Sequence, residues 1–131
     1  MKPGLQDKKM FSLKRLIKSF KYAINGIKSS LLTEQNLVIH MFFLVIVIIF
    51  SIIFKISKLE FLIIILVSGL VISLELVNTA IENTVDINKK ISREAMLAKD
   101  SASGAVLVAA ITAVIIGLIV FLPRIINLII K

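Results

Sequence analysis

Cysteine and tryptophan are absent from the 131 residues, and there is one histidine, one tyrosine and two prolines. Without cysteine the chain has no disulfide, no thiolate metal site and no Cys nucleophile, while its redox compartment stays open. The lone histidine, His40, stands early in an apolar stretch, where such a residue is ordinarily hydrogen-bonded locally rather than a ligand. No G-x-x-x-x-G-K-[ST] loop and no protein-kinase signature occurs, so any nucleotide site has to be built differently. Acids are scarce: 8 Asp and Glu stand against 16 Lys and Arg, for a net charge of +8. No internal repeat or low-complexity tract breaks a chain of about one domain's length.

What is abundant is apolar side chain. A hydrophobic fraction of 58% and a mean hydropathy of +1.01 exceed what a soluble domain carries. Residues 1–10 are polar and basic and are expected to be disordered. From there to residue 32 a helical period sets in, with Leu13, Leu16, Ile17, Phe20, Ile24, Ile27 and Leu31 on one face and Lys14, Arg15 and Lys18 on the other. This is the pattern of a helix lying in a membrane interface, or of an ordinary amphipathic core helix. Arg15, Ser19, Tyr22 and Gly26 line its polar side, either as a solvated face or as a surface that meets a nucleotide.

Thr33 reads as an N-cap, followed by a first apolar span over 37–54. A short turn at 55–60 leads to a second span over 61–81. Asn88 to Ser92 form the one long polar connection, and Ser92 reads as the cap of a last helix. That helix becomes a third span over 102–122, and Pro123-Arg124 marks its end. The fold class is therefore an all-α membrane protein: a single domain over 1–131, with an N-terminal surface helix at 11–32 and three transmembrane helices. More than thirty polar or amphipathic residues precede the first span, which argues against a cleaved signal peptide.

Basic residues set the orientation. Eight lie in the N-terminal arm and four in the 82–100 connection, against two in the 55–60 turn and two after Leu122. Twelve against four puts the N-terminus and the polar connection in the cytoplasm. Beside spans of this length, the basic arm reads as attraction to an anionic leaflet and not to nucleic acid.

The stretch Glu75-Leu-Val-Asn78-Thr79-Ala-Ile-Glu82-Asn-Thr-Val-Asp86 closes the second span. At about 100° per residue, Glu75, Asn78, Glu82 and Asp86 share one face. A carboxylate inside a span is costly and is a functional-site hypothesis by default. Glu75 is the deepest, and Glu82 and Asp86 lie where a cytosolic metal–phosphate reaches. Lys99 and Asp100 open the third helix at the same level, and Glu34 belongs to the same membrane surface. A deep base, shallower carboxylates suited to Mg²⁺ and a lysine for phosphate charge are the parts for phosphoryl transfer to a lipid alcohol. Two other readings use the same residues: a polar network that holds helices together, and a small proton- or cation-coupled carrier. Acids at the rim instead of the midplane speak against the carrier.

The blocks Glu75-Leu-Val-Asn78-Thr79-Ala80-Ile81-Glu82 with Asp86, and Ala98-Lys99-Asp100-x-x-Ser103-Gly104-Ala105-Val106-Leu107, resemble those of the small prokaryotic membrane lipid kinases, the diacylglycerol kinase and undecaprenol kinase family. The resemblance covers about residues 11–122, and only the 87–97 connection departs from the pattern. It implies a homotrimer in a bacterial plasma membrane, with active sites shared between subunits and Mg²⁺ with ATP as phosphoryl donor. Carried over, Glu75 is the general base and Glu34 and Glu82 are metal ligands. Asn78 and Ser103, with Glu75, are substrate groups. Glu82, Asp86, Lys99 and Asp100 meet the nucleotide, completed by Arg15, Ser19, Tyr22 and Gly26. The Ile-, Lys- and Asn-rich composition suggests an AT-rich genome, and the resemblance to the Gram-positive branch of the family, which mainly phosphorylates undecaprenol, implies undecaprenol first and diacylglycerol second.

Overall fold

The 55–60 turn has clear local chemistry. Ser57 Oγ accepts from the Glu60 N–H at 3.2 Å, and the Glu60 carboxylate accepts from the Ser57 N–H at 2.7 Å. This reciprocal capping box starts a helix. Just before it, Lys55 takes a positive φ of 47°, a left-handed step that reverses the chain without a glycine.

The computed structural model describes residues 12–87 and 92–130, and within them there are four helices and no strand. They are α1 (Leu13–Thr33), α2 (Gln35–Ile53), α3 (Lys58–Asp86) and α4 (Arg93–Ile129). The expected disordered arm at 1–10, the first residue of the expected surface helix, and Lys89 and Lys90 lie outside the described residues. α2, α3 and α4 are each long and apolar enough to cross a membrane.

Three boundaries differ from the sequence reading. Thr33 is the last residue of α1 and caps nothing; its hydroxyl lies 3.3 Å from the Ser29 carbonyl and 3.0 Å from Glu34 Oε1. As the last helical residue of α1, with its hydroxyl turned back along that helix, Thr33 does not present its oxygen to the first N–H groups of α2. Glu34 is the junction instead, with φ −106° and ψ 109°, and its N–H returns to the Ser30 carbonyl at 2.8 Å. The 55–60 turn is shorter than expected, since α3 already starts at Lys58. Finally, α4 does not stop at Leu122: Pro123 lies inside it and the helix continues to Ile129. A proline removes one donor, but in an apolar solvent the rest of the backbone has no water to turn to, so the helix carries on past it. Arg124, the next residue, donates from Nη1 to the Val120 carbonyl, and its Nη2 reaches both oxygens of Glu60 at 3.0 and 2.9 Å.

The packing centre is α3 against α4, with α2 on α3 next and α1 in lighter contact with both. A small core of Ile64, Val120 and Phe121 sits near the capped turn, joined by Val47, Phe54 and Ile116. Phe121 meets Phe50 edge-on at 6.0 Å and Phe54 at 6.2 Å, a favourable aromatic geometry. Outside this patch most apolar side chains are uncovered, among them Leu66, Ile111, Ile119 and Leu128. That distribution belongs to a chain whose solvent is lipid, where helix association does not depend on hiding leucine.

Candidate active site

The buried polar groups gather on one face of α3. Glu75 is 2% exposed, Asn78 6% and Thr79 4%. They are buried because this face of α3 is packed, so three polar side chains stand where the helix would otherwise carry leucine. Beside the Glu75 carboxylate are Asn36 and His40 from α2, Glu82 one face-repeat along α3, and Glu34 from the α1–α2 junction. Glu34 and Glu82 are thus near enough for their charges to act on Glu75. Asn78 Nδ2 donates to Glu82 Oε1 at 3.2 Å and fixes that carboxylate's direction.

At the outer end of the same face, Lys99 Nζ donates to Asp86 Oδ1 and Oδ2 at 2.9 and 3.1 Å. This pair joins the last turn of α3 to the second turn of α4. Both side chains are partly solvated, at 30% and 55% exposure, so the pair is open to exchange with another anion or cation. Asp100 and Ser103 are exposed on α4, and no side-chain hydrogen bond involves either among the described residues.

The α1 groups stay apart from this cluster. Ser19 donates to the Arg15 carbonyl at 3.0 Å, and the Lys18 ammonium stands 5.6 Å from the Tyr22 ring centroid. Gly26 leaves open space where a Cβ would be. Within one chain, none of Arg15, Ser19, Tyr22 or Gly26 has a hydrogen bond or ion pair with the α3–α4 groups among the described residues.

Two neighbours of Glu75 fall outside the set expected from sequence, Asn36 and His40. They are one helical turn apart on α2 and so share a face. Their signal was being the only polar residues in the first two turns of an apolar helix beyond Gln35. His40 also lines an apolar cleft of about 290 Å³ between α2, α3 and α4, together with Phe43, Val67, Ser68, Val71 and Ala110. Among the described residues, no three of His, Cys, Asp and Glu converge closely enough to hold a metal by themselves.

The family model for prokaryotic diacylglycerol kinase matches residues 21–121. The chain belongs to the prokaryotic diacylglycerol kinase family. It is 45% identical over 113 residues to the undecaprenol kinase of Bacillus subtilis (strain 168), covering 86% of this chain and 92% of that protein. It is 40% identical over 115 residues to a diacylglycerol kinase of Synechocystis sp., covering 86% of this chain and 66% of that protein. As a member of the prokaryotic diacylglycerol kinase family, the chain is a lipid kinase. The family match takes in Tyr22, Gly26, Glu34, Glu75, Glu82 and Lys99, whereas Arg15 and Ser19 precede it.

Proposed function

We propose that the chain transfers the γ-phosphoryl group of ATP to undecaprenol, giving undecaprenyl phosphate and ADP. The observation that carries this reading is the enclosed Glu75, held among Asn36, His40 and Glu82 at the end of a span-length helix. A carboxylate there is within reach of a hydroxyl that stays with its lipid, and can act as general base. The alcohol's proton passes to Glu75, its oxygen bonds to the γ-phosphorus, and the bond from that phosphorus to ADP breaks. Asn78 and Ser103 position the acceptor. Lys99 and Asp100, with Asp86 and Glu82, meet the nucleotide, and Lys99 can exchange Asp86 for phosphate. Arg15, Ser19, Tyr22 and Gly26 complete that site from the polar side of α1.

Glu34 and Glu82 fit Mg²⁺. Each has one oxygen engaged, by the Thr33 hydroxyl and the Asn78 amide, and the other free of hydrogen bonds among the described residues. Two carboxylates are what this ion takes from a protein when phosphates and water fill its remaining positions. Bound there, it would neutralise charge on the transferred phosphate.

The reading sets the protein in a bacterial plasma membrane, with its N-terminus and site cytoplasmic and α1 lying along the surface. The basic bias supports the orientation, and the absence of any buried residue on α1 supports its place. It also takes the active form as a homotrimer with shared sites. In favour are the α1 groups, which among the described residues form no hydrogen bond or ion pair with the α3–α4 groups of their own chain.

Undecaprenol is favoured over diacylglycerol by the relative matched over nearly its whole length and by the few donors around Glu75, which suit a plain alcohol better than two esters. The Synechocystis relative supports diacylglycerol as the second reading, with phosphatidic acid as product. Purified protein in mixed micelles with equal mole fractions of both lipids is expected to show the higher kcat/KM for undecaprenol, with measurable turnover of each. A clear preference for diacylglycerol reverses the order.

A further inference from the structure

A threonine inside a helix commonly hides its hydroxyl by donating to the carbonyl four residues back. Thr84 and Thr112 do so here, at 2.7 and 2.9 Å, and Thr33 has the Ser29 carbonyl at 3.3 Å and Glu34 Oε1 at 3.0 Å to share its proton between. Thr79, the remaining threonine of the chain, has no such acceptor. Its Oγ1 is enclosed and has no hydrogen-bond partner among the described residues, and the same holds for Asn78 Oδ1. An enclosed hydroxyl without a partner is destabilising, and the usual remedy lies in its own backbone. A group left in that state is suited to a partner that is not part of the chain.

The position of Thr79 says what that partner is. It follows Glu75 by four residues, so the two side chains neighbour each other on one face of α3. Both are buried. Asn78 is less suited to the same task, because its amide nitrogen serves Glu82 and its free oxygen only accepts.

We propose that Thr79 is a substrate-positioning residue whose hydroxyl donates to the oxygen of the lipid alcohol while the alcohol's own proton points at Glu75. The proposal rests on Glu75 being the base. An alcohol oxygen has one proton to give and two lone pairs. The proton goes to Glu75 and one pair accepts from Thr79. The other pair forms the bond to the γ-phosphorus of ATP, as the bond from that phosphorus to ADP breaks and ADP keeps its electrons. With Glu75 alone the alcohol rotates about a single hydrogen bond; a second contact aims the attacking pair.

Thr79→Val keeps the shape and removes the hydroxyl, and Thr79→Ser keeps the hydroxyl. In detergent with ATP and undecaprenol, Thr79→Val is expected to lower kcat/KM for the lipid by about tenfold, the worth of one hydrogen bond to the reacting group. KM for ATP should stay within about twofold of wild type. The Tm of the substrate-free protein should hold or rise, because an unsatisfied hydroxyl has been removed, and Thr79→Ser should recover most of the rate. A fall in Tm, or failure of Thr79→Val to assemble, would mean that the hydroxyl is bonded within the assembled protein and is structural. Wild-type kcat/KM in Thr79→Val would equally overturn the proposal. Glu75→Gln, assayed alongside, separates the two layers: activity there sinks the base assignment, whereas an inactive Glu75→Gln with a fully active Thr79→Val sinks only the role of Thr79.

Discussion

Burying a carboxylate is costly unless donors or opposite charge surround it, and Glu75 has Asn36 and His40 at its side with two further acids near. Leucine there would cost less, and the general-base role proposed for Glu75 is what would offset that cost. Replacing Glu75 by Gln preserves shape and hydrogen bonding but removes the basic oxygen. We expect Glu75→Gln to lose at least about two orders of magnitude in kcat, the usual weight of a general base. ATP binding, measured by equilibrium titration, should persist. Retention of more than about a tenth of the rate would rule out the base role. Glu82→Gln should behave differently: Asn78 still holds the side chain, but one hard oxygen donor is gone, so the Mg²⁺ concentration for half-maximal rate should rise while kcat at saturating Mg²⁺ falls less. An unchanged Mg²⁺ dependence would remove Glu82 from the metal site.

Among the helices, what was legible in the sequence was what local chemistry decides. Ser92 caps α4 because a serine hydroxyl meets the Ala95 N–H at 3.2 Å, and the acidic face of α3 follows from its period alone. Asn36 and His40 were not legible as site residues, because their closeness to Glu75 comes from how α2 packs on α3. Pro123 misled for a related reason: a proline rule assumes that the freed backbone can turn to water, and in an apolar surrounding the helix continues through it. Arg124 grips both oxygens of Glu60, from a position 64 residues along the chain, and thereby ties the C-terminal part of α4 to the first turn of α3. That pair is bidentate and about 30% exposed on each side, whereas Lys99–Asp86 is more solvated. Arg124→Ala leaves Glu60 unpaired and the Val120 carbonyl without its side-chain donor, so it should lower Tm in detergent more than Lys99→Ala does. Because the Glu60 end of α3 is remote from Glu75, residual activity per folded molecule should stay close to wild type. If Lys99→Ala costs more stability than Arg124→Ala, the Arg124–Glu60 tie is not what holds the two helices at this end.

The arrangement of the molecule in its membrane decides whether these sites can meet ATP at all. α3, with 29 residues, and α4, with 37, are about 44 and 55 Å long at 1.5 Å per residue. Both exceed a hydrocarbon core of about 30 Å, so each must emerge on at least one side. The ends that carry Glu82, Asp86, Arg93 and Lys99 are polar and charged, which makes that side the natural one for the excess. In the orientation we propose, that side faces the cytoplasm, an expectation carried by the bias of twelve basic residues to four. The lack of cysteine makes the assignment directly testable, since one introduced thiol is the only thiol. Ser12→Cys and Glu94→Cys leave every basic residue in place. Lys58→Cys removes a charge from the minority side and so cannot itself invert the topology. In intact spheroplasts a membrane-impermeant maleimide is expected to label Lys58→Cys and to spare the other two until the cells are opened. The reverse pattern would turn the carboxylate cluster away from cytosolic ATP. A lipid kinase cannot work that way round, so the reading of Glu75 would fall with it.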